Sequence, residues 1–140
     1  MQNYGQSQYL KTQVTTVDNL QLVILLYEGA IKFLRKAEEG IEEKNIEKRH
    51  KHINQALDII NELRNSLNIS QGREIAESLA ALYLFMTNHL IMANINNDRH
   101  FIEDVVKILA DLKEAWKTIA TKPEIKKQMA NQPKPLGIRI

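Results

Sequence analysis

From Thr16 to Thr121 the chain contains no proline and only three glycines, Gly29, Gly40 and Gly72. Over that span apolar residues recur at alternating intervals of three and four, the seam of an antiparallel helical bundle, and nowhere at the two-residue period of a strand. The spacing predicts helix 1 over about 17–42, with Thr16 as its N-cap, helix 2 over about 45–68 and helix 3 over about 72–95. Helix 4 is expected to start behind an N-cap at Asp98. The connections near Glu43–Lys44, Asn68–Gln71 and Asn96–Asn97 are only a few residues long, which makes sequential helices antiparallel neighbours. The expected fold is therefore all-α, an up-down-up-down four-helix bundle within residues 1–121.

The two ends read differently. Residues 122–140 hold all three prolines and five basic residues, Lys122, Lys126, Lys127, Lys134 and Arg139, against Glu124 alone. That composition suits a disordered basic tail. Residues up to about 15 carry Tyr4, Tyr9, Leu10 and Val14 in a polar setting. They are expected to form a flexible N-terminal cap segment that covers apolar surface reversibly. The chain has no cysteine, which excludes disulfides, thiolate metal sites and cysteine nucleophiles and suits a reducing compartment. The first residues lack the basic start and apolar run of a signal peptide. The longest unbroken apolar run, Leu79–Met86, is far short of the roughly 20 residues that span a bilayer. A soluble, cytoplasmic protein with no membrane insertion is expected.

Apolar residues are in excess of what one core needs. A bundle helix requires a stripe of about three residues in seven. In helix 1, Leu20, Val23, Tyr27, Ile31 and Leu34 supply it, and Leu22, Leu25, Leu26 and Phe33 are left over. In helix 3 the stripe is Ile75, Leu79, Leu82, Met86, Leu90 and Ala93, with Tyr83, Leu84, Phe85 and Ile91 left over; helix 4 adds Phe101, Val106 and Ile108. Helix 2, by contrast, has a polar outer face. A second apolar face on helices 1, 3 and 4 implies a groove that is covered by the N-terminal segment, by a partner, or by each in turn. Gly29 lies inside helix 1, where glycine costs about 1 kcal/mol relative to alanine. It implies a close approach, either by a neighbouring helix or by a bound segment.

No catalytic constellation emerges. Glu47-Lys48-Arg49-His50 has a di-iron spacing but occurs once, near a helix start, and reads as a solvated face. The basic cluster from Lys44 to His52 lacks the interleaved aromatics of a nucleic-acid surface. His89 in helix 3 leaves one enzymatic alternative, a histidine phosphotransfer-type bundle, although residues 85–93 offer no cation to hold the phosphate. A binding protein without metal, cofactor or nucleic-acid partner is the favoured reading.

Several strings, in order and in register over about residues 9–120, resemble the flagellin-specific export chaperones, the FliS family. They are Thr15-Thr16-Val17-Asp18-Asn19-Leu20, then Leu26-Tyr27-Glu28-Gly29-Ala30-Ile31-Lys32-Phe33, and Gln55 to Leu63 with Ser66-Leu67. Leu82-Tyr83, Leu90-Ile91-Met92-Ala93-Asn94, Asn97-Asp98 and Leu112-Lys113-Glu114-Ala115-Trp116 continue the match, and Tyr9 sits where the family carries an N-terminal tyrosine. Val17 departs from the proline usual at that position. The resemblance implies a cytoplasmic bundle that binds the C-terminal segment of newly made flagellin in apolar grooves. Such binding prevents early polymerisation and helps deliver the client to the flagellar export apparatus. Spacing and resemblance together nominate Tyr9, Leu10, Leu22, Leu25, Tyr27, Gly29, Tyr83, Leu84, Ile91, Asn94, Phe101 and Ile108 as partner-binding residues.

Overall fold

The computed structural model describes residues 18–121. The expected cap at Thr16, the segment bearing Tyr9 and Leu10, and the basic tail lie outside it. Four helices occur in order: α1 Asp18–Glu42, α2 Ile46–Asn65, α3 Ile69–Asn96 and α4 Arg99–Thr121. α1 packs against α2 and α4, and α3 fills the opposite corner against the same two neighbours. This is the antiparallel up-down-up-down bundle that the short links require.

Local chemistry fixes the helix ends. At the end of α1, the Asn45 N–H donates to the Gly40 carbonyl (2.8 Å) and the Lys44 N–H to that of Ile41 (3.2 Å). This is a Schellman closure with Lys44 at φ 56° where glycine is usual. The Asn45 side chain then caps α2 by accepting from the Lys48 N–H at 3.0 Å. The same device recurs at the end of α3, where Asn97 has φ 54° and the Asp98 N–H reaches the Ala93 carbonyl at 3.2 Å. Asp98 is at once the end of that closure and the expected N-cap of α4, its carboxylate accepting from the His100 N–H at 2.9 Å. That backbone donor, helped by the His100 ring, holds the Asp98 carboxyl below the usual carboxylate range. α3 is interrupted at Arg73 (φ 49°, ψ −124°), so its continuous body starts just beyond.

The core runs through Leu20, Val23, Tyr27, Ala30 and Leu34 of α1, Ile53, Ala56, Ile60 and Leu63 of α2, Met86, Leu90 and Ala93 of α3, and Ile102, Val105, Leu109 and Trp116 of α4. Gly40 is where α1 and α2 come closest, since a Cβ there would sit 2.7 Å from the Arg49 backbone nitrogen. Glu38 is the one buried charge among the described residues, held by Arg35 at 3.0 Å. The helix faces differ from the expected stripes in several places. Ile31 is only half-buried and Ala30 takes the inward position, Ile75 is exposed, Leu82 is half-buried, and Val106, expected as surplus, is buried in the core because it faces inward on α4.

Candidate partner-binding surface

α3 has to supply a core stripe, and it does so with Ala76, Leu79, Tyr83, Met86, Leu90 and Ala93. On a helix of 3.6 residues per turn the remaining positions point outward. On α3 they carry Leu84, Phe85, Ile91, Met92 and Ile95, each between 41 % and 71 % exposed. From Ser78 to Asn96 there is no Asp, Glu, Lys or Arg to give this helix a solvated face. By length and composition Gly72–Asn96 would even cross a bilayer, yet it is seated here as one corner of the bundle. Elsewhere among the described residues the large exposed apolar side chains are scattered, Leu25 on α1 and Ile46 on α2. The surplus therefore gathers on one helix, in a strip from Leu84 to Ile95 about 17 Å long at 1.5 Å per residue, while Ile75 faces round toward α4.

Beside this strip the seam between α3 and α4 opens into a shallow groove of about 420 Å³, lined by Glu74, Ile75, Ser78, Leu79 and Leu82 with Leu112 opposite. Ile108 and Phe101, both half-buried against the core, continue the α4 wall. At its far end the His89 ring lies 4.1 Å from the Phe85 ring and meets Phe101 edge-on at 5.3 Å. His89 Nε2 is 3.4 Å from the Asp104 carboxylate. A carboxylate beside the ring and aromatics around it oppose a phosphoryl group, so the arrangement gives no support to the phosphotransfer alternative.

The nominated residues fall into three groups. Leu84 and Ile91 stand on the exposed strip, with Phe101 and Ile108 in the adjoining wall; Leu25, 60 % exposed, and half-buried Leu22 lie on α1 across the bundle. Tyr83 is a correction, because it does not lie off the core seam but is only 1 % exposed. It points inward so that its hydroxyl meets that of Tyr27 at 2.7 Å, and Tyr27 in turn accepts from Trp116 Nε1–H at 2.9 Å. Burial pushes both phenols above their usual range. Tyr27 thus finds its polar partners inside the core and not at the bundle edge. Gly29 abuts Ile59 of α2, whose Cδ1 would lie 3.3 Å from an added Cβ, so a neighbouring helix accounts for it. Asn94 has its amide committed internally, accepting from Arg49 Nε at 3.0 Å and paired with His50 Nδ1 at 2.8 Å. Phe85, Met92 and Ile95 belong to the strip but are not among the nominated residues; the only signal for them is the excess of apolar residues on this helix.

Compared with known proteins, residues 1–123 match the family model described as Flagellar protein FliS. This chain belongs to the FliS family. It is similar to the Flagellar secretion chaperone FliS of Bacillus subtilis, at 34 % identity over 78 % of this chain and 80 % of that protein. The protein of the same name from Vibrio cholerae is 34 % identical over 77 % of this chain and 79 % of its own length. That of Salmonella typhimurium is 33 % identical over 81 % of this chain and 84 % of its own. FliS is a family of flagellar export chaperones and not of enzymes. The FliS match covers all four helices, so the apolar strip and the α3–α4 groove lie within the family's common region.

Proposed function

We propose that this protein binds the C-terminal segment of newly made flagellin in the cytoplasm, keeps it from polymerising early and helps deliver it to the flagellar export apparatus. The observation that carries this reading is the outer face of α3 beyond Glu77, free of charge and with Leu84, Phe85, Ile91, Met92 and Ile95 exposed together. An amphipathic helix laid along that strip hides its own apolar stripe there, the helix-in-groove mode. Leu25 and Leu22 extend the contact for a client long enough to pass round the bundle, while the N-terminal segment with Tyr9 and Leu10 covers apolar surface in the client's absence.

Apolar burial contributes about 25 cal/mol per Å² before association costs, so binding should show a negative heat-capacity change and little salt dependence. Calorimetry with a peptide of flagellin's C-terminal region tests this. Leu84→Gln and Ile91→Gln should each weaken binding at least about tenfold, or about 1.4 kcal/mol, with helicity retained. Ile46→Gln, on an exposed residue away from the strip, should leave affinity unchanged. Wild-type affinity in both strip variants would refute the assignment, and binding that collapses at moderate salt would move the main contact to the basic tail.

A further inference from the structure

We propose that the stretch 133–140, Pro-Lys-Pro-Leu-Gly-Ile-Arg-Ile, docks in cis into the α3–α4 groove. The argument rests on where the groove lies, what lines it and what chain is at hand. α4 ends at Thr121, at the same end of the bundle as the groove; Leu112, its α4 wall, is nine residues back, about 14 Å along the helix. Residues 122–140 come after Thr121 and, at up to about 3.3 Å each, reach several times that distance. Returning to the groove costs them little, because the docking is intramolecular and the tether keeps the local concentration high.

The lining and the tail are complementary. The groove floor is aliphatic, with Ile75, Leu79, Leu82 and Leu112, and the tail offers Leu136, Ile138 and Ile140. Glu74 lines the mouth beside exposed Arg73, and Asp111 stands exposed next to Leu112, while Asp104 lies further along α4 against His89. Lys107 offsets Asp111 in part, at 3.5 Å, while Lys113 and Lys117 turn the other way, toward Glu28 of α1 at 3.9 and 3.8 Å. An apolar segment flanked by positive charge fits such a slot, and Lys134 and Arg139 bracket Leu136 and Ile138. The pairing holds whether or not the client uses the α3 strip.

The chain has no cysteine, so Gly137→Cys in the full-length protein accepts a single nitroxide label. Paramagnetic broadening of backbone amides then reads where the tail sits. The amides of Ile75, Ser78, Leu82 and Leu112 should lose at least threefold more signal than those of Gln21 and Leu25 on α1, the opposite face of the bundle. Charge reversal at the exposed rim, Glu74→Lys with Asp111→Lys, should at least halve that difference, and so should Leu136→Ser with Ile138→Ser. Equal broadening on the two faces would overturn the proposal, as would broadening concentrated on another element. So would groove-selective broadening that appears when label and isotope are placed on separate copies, because the occupant would then be a second molecule.

Discussion

Removing the hydroxyl of Tyr27 tests the hydrogen-bonded core directly. Tyr27, Tyr83 and Trp116 are 0 %, 1 % and 4 % exposed, so no water replaces a lost partner. Tyr27 is the middle member, joined to Tyr83 at 2.7 Å and to Trp116 at 2.9 Å. Tyr27→Phe leaves two polar groups stranded, the Trp116 N–H and the Tyr83 hydroxyl. At about 1–3 kcal/mol for each stranded group, offset by the removed hydroxyl's own desolvation, the expected loss is about 2–4 kcal/mol. Tyr83→Phe strands only one direction of the Tyr27 hydroxyl and should cost about 1–2 kcal/mol. The double variant should cost less than the sum, because Tyr83 no longer has a hydroxyl to strand. Urea unfolding monitored by fluorescence of Trp116, the chain's single tryptophan, measures all three. The pH dependence has a definite sign as well: both phenols are raised by burial, so the unfolded chain ionises first. Their stabilisation is complete below about pH 10 and is lost as pH rises beyond it, at up to about 1.4 kcal/mol per pH unit for each tyrosine. A Tyr27→Phe protein within about 0.5 kcal/mol of wild type, or less damaged than Tyr83→Phe, would refute the reasoning.

Two glycines in one helix should respond oppositely to alanine. Gly40→Ala drives a Cβ into the Arg49 backbone and should cost about 1–3 kcal/mol, whereas Gly29→Ala meets only the flexible tip of Ile59 and should be neutral or stabilising by up to about 1 kcal/mol, both measurable by thermal unfolding. Asp98→Ala should lower the melting temperature at neutral pH and fray the start of α4 in hydrogen exchange. Because the Asp98 carboxyl is held below its usual range, its contribution is present above that range and lost as pH falls through the folded value, so wild type and variant should converge in acid.

Helix number, order and ends are legible from the residues, because each depends on neighbours in the chain. Asp98 caps the helix immediately after it, and the links at Lys44–Asn45 and Asn97–Asp98 close by backbone bonds within a few positions. The strip on α3 is visible as an excess of apolar residues, and Leu84 and Ile91 are found by spacing alone. The inward face of the same helix is not. With aliphatic residues all round, Ile75 and Leu82 fit a core stripe as well as Ala76 and Tyr83 do, and small Ala76 is the one that packs inside. The bonds of Asn94 are hidden for another reason: its partners Arg49 and His50 lie on α2, far away in sequence. The interruption at Arg73 has no local signal beyond the preceding glycine.

A helix that is apolar on both sides has a rotational ambiguity, since turning it about its axis buries roughly as much carbon either way. Shape and area alone leave little gap between the two orientations, and a bundle without such a gap is a mixture. In α3 the exposed Glu77 and Asn88 already favour one side as the outer one, and a single oxygen atom adds to that bias. Only the observed rotation delivers the Tyr83 hydroxyl to Tyr27, across the diagonal of the bundle from a helix that otherwise leans on α2 and α4. The opposite rotation would strand Tyr27 and send Tyr83 to water. The phenol pair thus works as a key that helps select which side of α3 faces outward, and so which side chains stand exposed on the strip.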